Sequence, residues 1–371
     1  MIQCADTKQH PPPAKPGEGL LNSATAILTI DLDAVIANWR RLAERVRPAE
    51  CAAVVKADAY GLGALRVAPA LYAAGCRTFF VATIDEGLSL RPLLPEARLL
   101  VLCGVMPGTA DEFTAHHLIP VLNSLEQVEA WADRGEAALH VDTGMARLGI
   151  EPTGLARLGG FRPVMVMSHM ACADEPGAAM NRAQLEAFGR VAAAFPGVPA
   201  SLAASSAIFL GPEWHFHMVR PGAALYGLNP TAATPNPMGQ VVRLQGKILQ
   251  VRDVDSPMTV GYGASHRVAR PGRIATVAAG YADGLFRTLG NRGHGFIGGE
   301  KVPVVGRVSM DLTTFDVSAL APEAVQPGAM IELIGPGHTV DDLAAEAGTI
   351  GYEVLTALGA RYHRRYLGGE A

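Results

Sequence analysis

The sequence is short of several things, and each shortage closes off a class of protein. Cysteine is rare, with five in 371 residues: Cys4, Cys51, Cys76, Cys103 and Cys172. The number is odd and there is no CxxC pair, which argues against a disulfide framework or a metal site and suits a reducing compartment. Charged residues make up only 18%, nearly balanced at a net -4. No basic surplus points to nucleic acid or to an anionic membrane surface. No apolar run reaches the roughly 18 residues that a membrane helix requires. The opening MIQCADTKQHPPPAKPGEG lacks the apolar core of a secretory signal. It reads as a disordered, Pro-rich tail over residues 1–23. A cytoplasmic protein is the expectation.

Apolar residues, by contrast, reach 49%, enough for a large core. The length implies two domains, or one large barrel with an appendage. From about residue 26 to 226, eight short apolar runs recur: 51–57, 77–83, 98–104, 118–123, 138–143, 163–170, 199–205 and 218–227. They are continuously hydrophobic rather than alternating, the mark of strands buried on both faces of a parallel sheet. Helix-period stretches lie at 31–45, 65–74, 124–134 and 178–194, and Ser124 with Gln127 resembles a capping box. This pattern predicts a TIM (β/α)8 barrel over 24–238, with a doubly wound sheet as the alternative. After the Pro- and Asn-containing stretch 229–240 the runs become short and Gly-punctuated. That predicts a mostly antiparallel β domain over 239–371, with short helices at 340–347 and 352–358.

Catalytic groups of a TIM barrel sit at the C-terminal ends of its strands. The ends of these runs carry Lys56, Asp142 leading to Arg147, Ser168 and His169, Ser205 and Ser206, and Arg220. Strand ends also tolerate polar groups simply because they meet solvent, but polar tips on at least five runs are hard to explain that way. Lys56 is the most informative. Burial disfavours a charged amine and lowers its pKa, which supplies the neutral nucleophile that Schiff-base chemistry needs. The alternative is a lysine snorkelling to solvent.

Eight motifs then stand in order: VVKADAYGLG (54–63), VDTGMARLG (141–149), MSHMACAD (167–174), VRPGAALYGLNP (219–230), VGYGA (260–264), AAGYADG (278–284), VGRVSMD (305–311) and GYEVLTALGARYHRRY (351–366). With them the sequence strongly resembles the alanine racemase family, over nearly the whole chain after the tail. The resemblance implies a barrel followed by a β domain, pyridoxal phosphate as cofactor, and alanine as substrate of a homodimer with shared sites. It makes Lys56 the residue that holds the cofactor and one of two acid/base groups. Tyr262 would be the other, on the opposite face of the substrate Cα, assisted by His169. A tyrosine between glycines is otherwise an ordinary turn residue. Arg220 would donate to the cofactor ring nitrogen. Tyr60, Ser206, the N–H groups of Gly222 and Ala223, and Tyr352 would hold its phosphate. Arg147 and Met310 would meet the substrate carboxylate, Tyr281 would restrict the pocket entrance, and Asp174, Arg307 and Ile350 would lie further out.

Two positions depart from the family pattern. His140 stands where many members carry a carbamylated lysine, so it either orients Arg147 or is a neutral, satisfied core histidine. Ser205 stands where an asparagine is common, which alters the phosphate network or enlarges the pocket. These departures leave a broader amino-acid racemase, acting for instance on serine, as the alternative function. A related barrel-fold decarboxylase would need a different C-terminal site. A cofactor carrier on a lone barrel would not need the second domain. The product would be D-alanine for peptidoglycan, or the reaction would serve alanine catabolism.

Overall fold

The computed structural model describes residues 23–132, 134–231 and 235–369. Apart from Ser23, the tail expected at the start lies outside the described residues. Seven strands lie side by side in chain order and all parallel: Ala53–Val54, Thr78–Val81, Arg98–Val101, Ile119–Leu122, Ala138–His140, Met165–Met167 and Ala200–Ser201. The eighth run, Met218–Val219, pairs in parallel with Glu50–Cys51, just ahead of the first. Ser201 Oγ donates to the Met218 carbonyl at 2.7 Å, and a parallel bridge joins Ala204 to Arg220. The sheet therefore curls round on itself as the TIM-type barrel. Every apolar run supplies a strand, each shorter than the run. Consecutive residues such as Phe79, Phe80 and Val81, or Leu99, Leu100 and Val101, are fully buried, as two covered faces require.

Local chemistry sets the helix starts. Asp31 caps Leu32–Arg45 by accepting the Ala34 N–H at 2.9 Å. Ser124 caps Leu125–Trp131 by accepting the Gln127 N–H at 3.2 Å. The return half of the capping box does not form, because Gln127 Oε1 accepts the Asn123 N–H instead.

The second domain is built on the long strand Val242–Val254, which pairs antiparallel with Gly272–Val277 and Met330–Ile334. Its short helices are Val340–Ala347 and Gly351–Ala357. One assignment needs correction. Ala26–Asp31, counted with the barrel stretch, pairs antiparallel with Val242–Val254 and parallel with His363–Leu367. Its residues alternate between buried and half-buried, the signature of a sheet covered on one face. The chain thus passes through the second domain's sheet before entering the barrel, which ties the two domains together.

Candidate active site

At the end of the first barrel strand the chain makes an unusual turn. Ala57, Asp58, Ala59 and Tyr60 all have φ between 53° and 57°. Left-handed helical geometry costs non-glycine residues about 1–2 kcal/mol each, so the surroundings must hold it. The Ala59 N–H donates to Val55 O, the Gly63 N–H to Asp58 O, and the Ala64 N–H to Asp58 Oδ1. Glu86 accepts the N–H groups of Ala57 and Ala82, each at 2.7 Å. The turn presents Lys56 and brings the Tyr60 ring within 4.7 Å of Tyr226 and 6.0 Å of Tyr352. Gly222 is required beside it, since a Cβ there would collide with the Tyr60 hydroxyl.

Lys56 makes no hydrogen bond or ion pair with another described residue. Burial lowers its pKa, and the charge of Arg147 adds to the effect. Arg220 is buried and donates to Ser201 Oγ at 2.5 Å, Ser168 O at 2.6 Å and Leu202 O at 3.4 Å. Its fork of five N–H donors is not exhausted by these bonds. Burial pulls its pKa down to about 9, which leaves it cationic at neutral pH. His169 stands in the field of these cations. Burial first, then Arg220, Arg147 and Lys56, push its pKa down to about 3, so it is neutral.

Arg147 is exposed at the end of a loop folded around Asp142, which accepts the N–H groups of Gly144, Met145 and Ala146 at 2.8–2.9 Å. The loop closes through Ile150 N–H to His140 O and Asp142 N–H to Ile150 O. His140 is buried, and its Nδ1 lies 2.8 Å from Asn123 Oδ1. Asn123 spends its amide hydrogens on the carbonyls of Leu102 and Val121. Its oxygen must therefore accept, which puts the imidazole proton on Nδ1 and leaves Nε2 as a bare acceptor. Burial and the charge of Arg220 lower the pKa of His140 to about 4. It is thus a neutral histidine of fixed tautomer. Because the unfolded chain takes up this proton near pH 6.5 and the folded chain only near 4, stability present above pH 6.5 is lost as pH falls through that window. Urea titrations are expected to show a falling midpoint between pH 6.5 and 4, less steep in His140→Gln.

The phosphate-type residues also come together. Tyr60, Gly222 and Tyr352 are neighbours, and Ser206 follows Ser205. The Gly222 N–H, expected to meet the phosphate, donates instead to Ser205 Oγ at 3.0 Å, because Ser205 folds onto the 222–224 backbone and also accepts the Ala224 N–H. Ser206 Oγ and the Ala223 N–H bond no other described residue. Ser206 and Asp174 line a cavity of about 400 Å³ with Phe209 and Leu210. Burial raises the Tyr352 pKa, with Asp174 and Asp341 contributing.

Tyr262, Tyr281 and Met310 stand apart, 71%, 44% and 54% exposed. The 281 and 310 loops are knitted by Tyr281 N–H to Ser309 O and Ala282 N–H to Met310 O. Arg361 clamps both through Asp283 and Asp311, at 2.8 and 2.7 Å. Tyr262 caps the hairpin of Thr259–Val260 with His266–Arg267. No hydrogen bond, ion pair or ring contact joins these residues to Lys56, His169 or Arg220 among the described residues. Sequence reasoning missed Glu86, Asn123 and Arg361, whose partners Ala57, His140, Asp311 and Asp283 are 17–78 residues away and leave no local signal.

The family model "Alanine racemase, N-terminal domain" matches residues 30–230, and "Alanine racemase, C-terminal domain" matches 241–366. The chain belongs to the alanine racemase family. The alanine racemase of Rhodospirillum rubrum is 57% identical over 361 residues, covering 93% of this chain and 96% of that one. That of Rhizobium meliloti is 51% identical over 371 residues, covering 94% and 98%. A crystal structure of alanine racemase from Bartonella henselae, with covalently bound pyridoxal phosphate, superposes with a TM-score of 0.88 at 41% identity. It covers 93% of this chain and 100% of that one. These relatives are all named alanine racemases, which does not favour the serine reading. Among the described residues, no helix is long and apolar enough to cross a membrane.

Proposed function

We propose that this alanine racemase interconverts L- and D-alanine with two groups on opposite faces of the substrate carbon: Lys56 in the barrel of one subunit and Tyr262 from the second domain of another copy. The chain would act as a cytoplasmic homodimer with pyridoxal phosphate held covalently by Lys56. One observation carries this reading. Lys56, His169 and Arg220 converge at the barrel mouth, while Tyr262 is 71% exposed and has no partner there among the described residues. A second copy of the chain supplies what each site lacks.

The residues present fit the cofactor. Arg220 has donors to spare and stays cationic near neutral pH, so a ring nitrogen facing it accepts a hydrogen bond and remains unprotonated. Tyr60, Ser206 Oγ, the Ala223 N–H and Tyr352 surround a place for the phosphate. When bound, pyridoxal phosphate supplies the electron sink that lets the α-hydrogen leave as a proton. Lys56 Nζ then takes or returns that proton on one face, and Tyr262 Oη does so on the other. A free tyrosine has a pKa near 10. Neutral His169, in the field of Arg220, would accept the tyrosine's hydrogen bond. Arg147 and the Met310 N–H would hold the substrate carboxylate, and Tyr281 would limit the side chain to a small one.

Borohydride treatment of the cofactor-loaded protein is expected to leave the pyridoxyl label on the peptide containing Lys56, as read by mass spectrometry. Label on another lysine, or on none, would overturn the assignment.

A further inference from the structure

Ser205 is 4% exposed, and its hydroxyl oxygen accepts two backbone N–H groups, from Gly222 at 3.0 Å and from Ala224 at 3.2 Å. A serine hydroxyl has two lone pairs and one hydrogen. Both lone pairs are used, and the hydrogen has no acceptor among the described residues. A buried donor left unmade is costly, so the site is built for an acceptor that comes from outside the chain. The neighbourhood says which kind. Ser206 adjoins Ser205, Ala223 adjoins Gly222, and the Tyr60 hydroxyl lies beside Gly222; none of Ser206 Oγ, the Ala223 N–H and the Tyr60 hydroxyl bonds another described residue. No carboxylate is bonded to Ser205, Ser206, Gly222 or Ala223 among the described residues. A group of donors without an acceptor suits an anion with several oxygens.

We propose that Ser205 is a further phosphate-binding residue, donating its hydroxyl hydrogen to a phosphate oxygen of pyridoxal phosphate while its oxygen braces the 222–224 backbone. The same serine thus does two jobs. It fixes the loop that offers the Ala223 N–H, and it adds a donor of its own. Its two accepted bonds polarise the hydroxyl and strengthen the bond it donates.

This rests on the cofactor reading above, and the test keeps the two apart. Apo protein would be titrated with pyridoxal phosphate and, separately, with pyridoxal, which has the same ring and aldehyde but no phosphate. Binding is read from the cofactor absorbance. A hydrogen bond to a charged acceptor is worth enough that Ser205→Ala should bind pyridoxal phosphate about tenfold or more weakly. Pyridoxal binding should change little, which also shows that the variant is folded. Ser205→Thr, which keeps the hydroxyl, should recover most of the loss, and the ³¹P resonance of bound cofactor should move in the alanine variant but not in the threonine one. Equal weakening for both ligands, or none for either, overturns the role of Ser205 while leaving the cofactor reading intact. Failure of the parent protein to bind pyridoxal phosphate at all overturns both.

Discussion

Tyr262→Phe is expected to lose racemisation by about 10²–10⁴-fold, the contribution of one positioned acid/base group, while still exchanging the α-hydrogen of D-alanine with solvent deuterium. The substitution removes one hydroxyl from a side chain that is 71% exposed at a hairpin tip, so stability should hardly change. Lys56 and the groups around it belong to the barrel and remain. By the family resemblance Lys56 faces the α-hydrogen of D-alanine and Tyr262 that of L-alanine. Exchange from L-alanine should therefore collapse while exchange from D-alanine largely persists. Deuterium incorporation is measured in each enantiomer separately, before racemised product builds up. A single swinging base would lose both exchanges together, or neither. Equal loss from both enantiomers, in a variant that still binds cofactor, sinks the assignment of one group to each face.

The second large effect is a recovery. Lys56→Ala and Tyr262→Phe proteins should each be nearly inactive, yet a mixture whose subunits have exchanged should regain activity. In a hybrid dimer one site receives intact Lys56 from one chain and intact Tyr262 from the other, and the second site is doubly damaged. Random reassortment in an isologous dimer makes about half of the dimers hybrids and leaves about a quarter of all sites intact. Recovery to about a quarter of parent activity is the expected reading. No recovery, with exchange demonstrated by native mass spectrometry, would place both groups of each site in one chain.

Much of this arrangement was legible in the residues. The eight barrel strands are visible because burial on both faces demands unbroken hydrophobic runs, and the structure supplies a strand for each. Ser124 is visible as a cap because a cap acts on a residue only three positions away. Lys56 stands out because a lysine after buried valines needs a reason, and its lowered pKa agrees with that. The eight family motifs located the remaining candidates.

Other features were decided only by the folded chain, because they depend on partners far apart in sequence. Ala26–Asp31 alternates as a one-faced strand, but which sheet it joins is settled by pairing with Val242–Val254 and His363–Leu367. Of Ala-Asp-Ala-Tyr only the aspartate tolerates left-handed geometry, and only singly. That turn exists because Glu86 and the Asp58 side chain hold its backbone, and because Gly222 leaves room for Tyr60. His140 reads equally as an orienter of Arg147 or as a core residue until Asn123, with its amide hydrogens committed elsewhere, dictates which ring nitrogen carries the proton. Ser205 looks like half of a serine pair until the 222–224 backbone folds onto its oxygen and leaves its hydrogen without an acceptor among the described residues. Residue type and short-range period therefore determined the strands and the Ser124 cap, since those follow from neighbours within a turn or two, and they singled out Lys56 as a candidate reactive group. Tautomer, strain and sheet membership required the tertiary structure, since each is set by a contact that the chain makes only after it has folded.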